Sequence, residues 1–199
     1  MKKAFPRRQG FTLIELMVSV AIFTVVMVIA LGALLSISAA ERKAETLKSV
    51  MNNLSFALEG MSRTIRTGLN YHCDTSNISG STLVPQNCPN ASTGANYFAV
   101  QANDGTYVAY CLAGSSLWRL RVTDANLLRT TCSASDGFLP ITATEVVVSN
   151  LTFYALGTTV ADNIQPKVIF TLNGYVSIGS NASSTFNLQT SVTQRIYDQ

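Results

Sequence analysis

Glu15 is the residue of the N-terminal segment whose chemistry most needs an explanation. It is the only charged residue in an otherwise apolar run from Phe11 to Ser38. A carboxylate in apolar surroundings is strongly destabilised unless a cation or hydrogen-bond donors pair with it. In a plain membrane anchor, the alternative interpretation, the carboxylate would be a tolerated cost of up to ~3 kcal/mol at the bilayer centre and less near the interface. That alternative gives Glu15 no role, so we expect a specific cationic partner for it.

Four cysteines, all beyond the apolar run, are the residues best suited to cross-linking or metal binding. None of them forms a C-x-x-C pair, and with His72 as the single histidine, a zinc site would need mostly thiolates at unusual spacings. We therefore expect no metal and two disulfides, formed in an oxidising compartment. Several connectivities remain open, and the nearest-neighbour pairing that we favour joins Cys73 to Cys88 and Cys111 to Cys132.

Catalytic arrangements find little support in the sequence. A Ser-His-Asp or Cys-His site would have to use His72, which neighbours Cys73 in an expected disulfide loop. The sequence shows no glycine-rich phosphate loop, no Walker sequence and no paired metal carboxylates. We therefore predict that the protein is not an enzyme and needs no cofactor.

Three arginines form a candidate patch for weak contact with DNA. Arg119 and Arg121 alternate with apolar residues on one predicted strand, and Arg129 could join them. A solvated sheet face is the interpretation that we favour, because Asp124 and Asp136 are close in sequence. The net charge of +3 agrees, since the first ten residues hold four basic residues and the remainder is +3 − 4 = −1. Nucleic acid is therefore not an expected partner.

The element that positions Glu15 is a helix long enough to span a bilayer. From Leu16 to Leu35, about 20 residues at about 1.5 Å each cover about 30 Å, the thickness of a hydrocarbon core. Basic residues in the stretch Met1 to Gly10 would hold the N-terminus in the cytoplasm and place everything after residue 40 outside. A secretory signal cleaved after Ser38-Ala39-Ala40 is the alternative, but its apolar region should span only about 7 to 15 residues.

The stretch Gly10-Phe11-Thr12-Leu13-Ile14-Glu15-Leu16-Met17-Val18, with its basic leader, resembles the prepilin signal of type IV pilins and type II secretion pseudopilins. The resemblance implies that a prepilin peptidase cuts between Gly10 and Phe11 and N-methylates Phe11. The amine of Phe11 on a neighbouring subunit, which is positively charged near neutral pH, is then an available partner that would set the subunit register of Glu15. Many family members carry a proline in the apolar helix, whereas here Gly32 is the only weak point.

After the apolar run, apolar residues recur every three or four positions, which predicts an amphipathic helix over residues 39–67. One continuous helix from about Phe11 to Thr67, with Gly68 as its stop signal, is the simplest expectation. A separate membrane-surface helix is the less favoured alternative, because the polar face carries charges of both signs. Residues 68–96 are rich in Asn, Ser, Thr and Gly and predict a long irregular region.

Strand patterns dominate the rest of the chain. Turn residues separate three short runs that predict an antiparallel meander, in which Trp118, Leu120 and Val122 form a buried face and Arg119 and Arg121 an exposed one. A helix followed by antiparallel strands predicts the α+β class. The expected strands are 97–101, 106–112, 117–122, 145–154, 167–172, 174–178 and 186–193.

This order is also similar to the ladle-shaped pilin fold, in which a sheet packs against the long helix. The segments Leu117-Trp118-Arg119 and Leu188 to Arg195 resemble those of larger minor subunits, minor pilins and minor pseudopilins. The expected parts are a leader at 1–10, a transmembrane and filament-core helix at 11–38, an amphipathic helix half at 39–67, and an extracytoplasmic disulfide-containing β domain at 68–199.

The resemblance implies a structural subunit of a type IV pilus, minor or major. A minor pseudopilin of a type II secretion system and a membrane-anchored extracellular binding module that does not polymerise remain alternatives. The implied partners are other pilin or pseudopilin subunits, the prepilin peptidase and methyltransferase, the membrane, and an inner-membrane assembly platform with its cytoplasmic ATPase. We expect a single-pass inner-membrane protein with its C-terminal domain outside the cytoplasm, later part of an extracellular or periplasmic filament.

Overall fold

The computed structural model describes residues 10–78, 80, 82–90, 92–159, 164–178 and 182–195. The expected leader, residues 1–10, lies outside these residues except for Gly10. The chain divides into two compact units, Met1–Glu45 and Thr46–Gln199. One long N-terminal helix and an antiparallel β domain confirm the predicted α+β class.

One long helix, α1 (Leu13–Thr67), contributes residues to both units. Its 55 residues contain no proline, and the glycines Gly32 and Gly60 do not interrupt it. This confirms the expectation of one continuous helix, which begins two residues later than predicted. Within the second unit, α1 buries a stripe of residues spaced by three and four: Val50, Leu54, Ala57, Met61 and Ile65.

The first sheet has five antiparallel strands in the order of the chain. Its middle three strands form the predicted meander, and the last is a two-residue edge strand. The first strand is absent from the predictions, which made residues 68–96 irregular. A register shift between Leu69 and His72 and the positive φ of Asn70 break the alternation that would have revealed it. The strands are β1 (Leu69–Cys73), β2 (Tyr97–Gln101), β3 (Tyr107–Ala113), β4 (Ser116–Val122) and β5 (Leu139–Pro140).

The second sheet has three long antiparallel strands in the order β6-β7-β8. Two of the strand predictions for this sheet need correction. The predicted strands 167–172 and 174–178 are one strand, because Gly174 continues the pairing and lets β7 approach the carbonyl oxygen of Val147 closely. The last strand also begins four residues before the predicted position 186, in a Ser-rich stretch without alternation. The strands are β6 (Val146–Leu156), β7 (Lys167–Ile178) and β8 (Ala182–Thr193).

The two faces of the first sheet bury two separate apolar clusters. The main cluster lies between α1 and the two sheets, and its centre is an aromatic series in which the ring centroids of Phe98 and Phe153 are 5.3 Å apart. The second cluster covers the opposite face, with Leu120, Leu128 and Phe138 among its members. Because β4 has buried residues on both faces, the expected single buried face of this strand is only part of the arrangement: Leu117, on the face of the arginines, is fully buried.

Hydrogen bonds from distant parts of the chain cap the C-terminal end of α1. The hydroxyl of Tyr71 donates to the carbonyl oxygen of Ile65 at 2.5 Å, and burial raises the pKa of Tyr71 well above its usual value, so this donor stays protonated. The backbone N–H of Arg195 donates to Arg66 at 2.8 Å. The side-chain amide of Gln194 donates to the carbonyl oxygen of Gly68 at 3.0 Å. The end of the segment Leu188 to Arg195 thus satisfies backbone acceptors that a helix terminus leaves open.

We expect Gln194→Ala to destabilise the protein, because it leaves the buried carbonyl oxygen of Gly68 without its donor. The cost of such a group is about 1–3 kcal/mol, which corresponds to a fall in melting temperature of about 3–8 °C in a chain of this size. Thermal unfolding of the full-length protein in detergent micelles measures this change. Gln189→Ala, at an exposed position of β8, is the matched control. Equal melting temperatures for the two variants would show that the Gln194 bond contributes nothing.

Candidate functional site

Gly10, Phe11 and Thr12 precede the first turn of α1 and form an exposed N-terminal segment. The side chain of Phe11 is 83% exposed. The bond between Gly10 and Phe11, the expected cleavage site, therefore lies outside the helix and open to solvent. A peptidase would not have to unwind α1 to reach this bond.

Thr12 caps the N-terminal end of α1. The hydroxyl oxygen of Thr12 accepts a hydrogen bond from the backbone N–H of Glu15 at 3.3 Å and lies 3.5 Å from its carboxylate oxygen. The carbonyl oxygen of Thr12 accepts the first helical bond, from Leu16, at 3.2 Å. The Thr-x-x-Glu spacing could have revealed this cap in the sequence, but our predictions missed it. An acid in the first turn also interacts favourably with the helix dipole.

The helix that follows exposes a continuous apolar surface within the first unit. Ser19 and Thr24 do not interrupt it, because their hydroxyls donate to the carbonyl oxygens of Leu16 and Ala21 within the helix, at 2.9 and 2.8 Å. Helix α1 is long and apolar enough to cross a membrane. Surfaces of this size need a cover of lipid or protein. The exposed side chains are Leu13, Ile14, Leu16, Met17, Val18, Val20, Ile22, Phe23, Val25, Val26, Met27, Val28, Ile29, Leu31, Leu34, Leu35 and Ile37.

All four cysteines are disulfide-bonded in the β domain, which confirms the expectation of two disulfides. Cys73 at the end of β1 pairs with Cys88, with 4.8 Å between their Cα atoms. Cys111 on β3 pairs with Cys132, with 6.2 Å between their Cα atoms. The first bond closes the loop after β1 and the second ties the segment after β4 to the sheet.

His72, the residue on which any catalytic triad would have depended, is fully buried inside the first disulfide loop. Its ring nitrogens lie 2.7 Å from two backbone carbonyl oxygens, those of Val84 and Ser76. The imidazole thus connects the two sides of the loop between Cys73 and Cys88. Both ring nitrogens lie against backbone carbonyl oxygens, and a neutral imidazole donates a hydrogen bond to one of them at a time, which gives His72 a structural role.

The three arginines of the candidate DNA patch do not converge on one face. Arg119 and Arg121 alternate with Leu120 and lie on one side of β4. Leu120 belongs to the second apolar cluster on the other side, where the hydroxyl of Tyr97 donates to the backbone of Arg129. The guanidinium of Arg129 donates to carbonyl oxygens of its own segment at 3.3 Å. The described geometry lends the candidate patch no support, and the expectation that nucleic acid is not a partner stays a prediction.

The acid that neutralises the charge of Arg121 is Asp104, which was not among the acids considered in the sequence analysis. Its carboxylate, in the turn between β2 and β3, forms a salt bridge with Arg121 on the neighbouring strand β4. Hydrogen bonds from Thr106, and then the charge of Arg121, hold the pKa of Asp104 below its usual value. The two acids that the sequence analysis expected near the arginines have other roles. Asp124 caps the short turn Ala125–Leu127, and Asp136 accepts a hydrogen bond from Ser133.

The N-terminal geometry has a counterpart among known protein families. Residues 5–31 match the prokaryotic N-terminal methylation motif. The chain carries a type IV pilin-like N-terminus. This match supports its membership of the type IV pilin and pseudopilin family, whose proteins are structural. No curated protein and no solved structure is significantly similar to this chain.

The motif and the apolar helix together make this pilin-like chain a single-pass membrane protein. The β domain lies beyond the anchor, where its two disulfides are expected to persist. The methylation motif ends within the apolar helix, so it covers the processing and anchoring segment and none of the β domain.

We expect Thr12→Val to loosen the first turn of this pilin-like helix, because valine keeps the shape of threonine and loses its hydroxyl. A lost N-cap costs about 1 kcal/mol, which corresponds to about fivefold faster amide exchange at Glu15 and Leu16. Hydrogen exchange of the full-length protein in detergent micelles measures this rate. Thr12→Ser keeps the hydroxyl and should exchange like the unmodified protein. Equal exchange in the valine variant would contradict the N-cap role of Thr12.

Proposed function

We propose that this chain is a non-enzymatic structural subunit of a type IV pilus, minor or major. The observation that carries the proposal is the match of residues 5–31 to the methylation motif, which opens onto a helix with an uncovered apolar surface. A helix of this kind suits lipid before assembly and other helices after it. Cleavage after Gly10 would keep the helix in the mature protein, unlike cleavage of a conventional signal peptide.

Assembly in this proposal depends on the charge pair of Glu15 and the amine of Phe11. Cleavage after Gly10 creates that amine, and it is positively charged near neutral pH. When the helices of neighbouring subunits pack together, the amine of one lies against the carboxylate of the next. Such a pair adds little net stability but penalises every register in which the two charges miss each other. The contact is head to tail and therefore propagates as a filament.

The proposed partners follow from this life cycle. A prepilin peptidase cleaves and N-methylates the chain, an inner-membrane platform with a cytoplasmic ATPase extracts it, and other pilins pack against it. The protein begins as a single-pass inner-membrane protein and ends in an extracellular filament. The buried, backbone-bound state of His72 supports the non-enzymatic part of the proposal.

A minor pseudopilin of a type II secretion system is the second candidate, since its processing would be the same. The segment that ends at Arg195 resembles minor pseudopilins and minor pilins alike. It therefore supports the two candidates equally. In that case the filament would be periplasmic, and the neighbouring genes would include a secretin and pseudopilin partners. A secretion operon around the gene would decide for this candidate.

The mature N-terminus gives the most direct test of processing. We expect intact-mass and peptide mass spectrometry of protein purified from its native membranes to find a chain that begins at N-methylated Phe11. Deletion of the prepilin peptidase should leave the chain uncleaved and unmethylated. A mature chain that begins at Glu41 would instead identify a secretory signal and reject the proposal.

Substitutions of Glu15 and Thr12 separate the charge pair from the N-cap. Glu15→Gln retains a side chain that can serve in the cap but has no charge, whereas Thr12→Val removes the cap and keeps the charge. We expect Glu15→Gln and Glu15→Ala to lower the amount of mature protein in sheared filaments at least about tenfold, because the amine of Phe11 loses its buried partner. Cleavage after Gly10 should be unchanged.

Glu59→Ala, at an exposed acid of the same helix, is the matched control and should assemble normally. Normal assembly of the Glu15 variants would remove the main support for polymerisation and leave the membrane-anchored binding module as the better interpretation.

A further inference from the structure

The outer face of the second sheet has an unusual composition. Cross-strand pairing of β6, β7 and β8 places side chains in rows of three on this face. One row consists of Asn150, Asn173 and Asn187, which we call the amide row. The next row consists of Thr152, Thr171 and Gln189, which we call the hydroxyl row. Among the described rows of this face, the only charged residue is Lys167, at the far end of β7.

The lack of charge separates this face from an ordinary solvated surface. Protein surfaces usually carry Lys, Arg, Glu and Asp of both signs, interspersed over the surface. The side chains of Asn150, Asn187 and Gln189 are exposed, so burial does not explain their type. The composition is thus a property of this face that neither folding nor the proposed packing of the apolar helix requires.

The two rows connect two clefts in the β domain. Asn150 and Thr152 line a cleft of about 380 Å³ beside the loop that follows the first disulfide, and Asp74 is the one charged residue in the lining of that cleft. Asn173 and Gln189 line a second cleft, of about 410 Å³, between β7 and β8. Because the rows run across the strands, they join the two clefts into one polar track, about 10 Å wide between the outer strands.

Carboxamides and hydroxyls have the hydrogen-bonding character of sugar hydroxyls. Each carboxamide both donates and accepts, whereas a carboxylate only accepts and an ammonium only donates. Tyrosines lie one row beyond each end of the track: Tyr175 beside the amide row and Tyr154 beside the hydroxyl row. Tyr175 is 40% exposed and offers an aromatic surface with a polar tip. The two tyrosines are about 20 Å apart along the strands, so the track suits an extended ligand.

We propose that this face binds a neutral glycan chain that lies along the strands and crosses the amide and hydroxyl rows. The charge pattern decides against the other occupants. A nucleic acid or an acidic polysaccharide needs cations, and Lys167 lies at the margin. An apolar partner surface needs a continuous apolar patch, which the two rows interrupt. Strand side chains give the site a fixed geometry. The proposal does not depend on polymerisation, so a membrane-anchored monomer would bind in the same way.

Sedimentation with insoluble polysaccharides tests this proposal on the full-length protein. The probes are chitin, cellulose and starch particles, with heparin beads as the anionic comparison. The detergent should be a zwitterionic amine oxide, since a maltoside would itself offer sugars. We expect retention on at least one neutral probe, competition by its soluble oligosaccharides, and little change between about 0.1 and 1 M salt, because no ion pair is involved.

Variants assign that retention to the track. Asn173→Ala combined with Asn187→Ala should weaken binding about tenfold, because two pairs of donors and acceptors are lost. Asn173→Asp preserves the size of the side chain but replaces its N–H donors with a negatively charged acceptor, so it should weaken binding with little change in the melting temperature. Asn52→Ala, at an exposed position of α1, is the matched control and should bind like the unmodified protein.

Several results would overturn the proposal: no retention on any neutral probe, retention on heparin alone, or equal binding by the two Asn173 variants and the unmodified protein. Protection of β7 and β8 from hydrogen exchange that rises with protein concentration in the absence of sugar would identify a second copy of the chain as the occupant.

Discussion

An apolar helix surface that needs a cover from outside its own unit is the constraint on which this protein depends. Every large apolar side chain of α1 from Leu13 to Ile37 that the structure describes is exposed. Only lipid or other apolar helices can remove such a surface from water at an acceptable free energy. The single acid of this segment, Glu15, lies in the first turn, where the helix dipole and the cap of Thr12 stabilise it. One segment therefore combines anchoring with a charge available for a partner.

In the β domain, by contrast, the C-terminal part of α1 is covered by the protein itself. The buried stripe of α1, from Val50 to Ile65, packs against two sheets, and the closing segment at Gln194 satisfies the last carbonyl groups of the helix. Two disulfides hold the long connections, and His72 organises the first of them. These interactions lie inside the domain, and none of them uses the outer face of the second sheet. A face of this kind can acquire a ligand without a loss of stability.

Local patterns accounted for much of the fold. The absence of proline and the three-and-four spacing predicted α1, and alternation between turn residues predicted the strands from Tyr97 to Val122. Patterns failed where the backbone departs from regular geometry or where alternation is absent. The bulge after Leu69 hid β1, Gly174 appeared to divide β7, and the serines that begin β8 carried no apolar signal. The Thr-x-x-Glu spacing of Thr12 and Glu15 indicates the helix N-cap, which the predictions did not include.

Residues close together in the chain were enough to predict the N-terminal part of the protein: the methylation motif, the apolar run and Glu15. Which distant residues meet could be seen only in the folded domain. It selected Asp104 as the partner of Arg121 and aligned Asn150, Asn173 and Asn187 in one row. Such contacts depend on strand register, and register follows from the burial of whole sheet faces together with the turns that connect the strands. No local pattern contains that information.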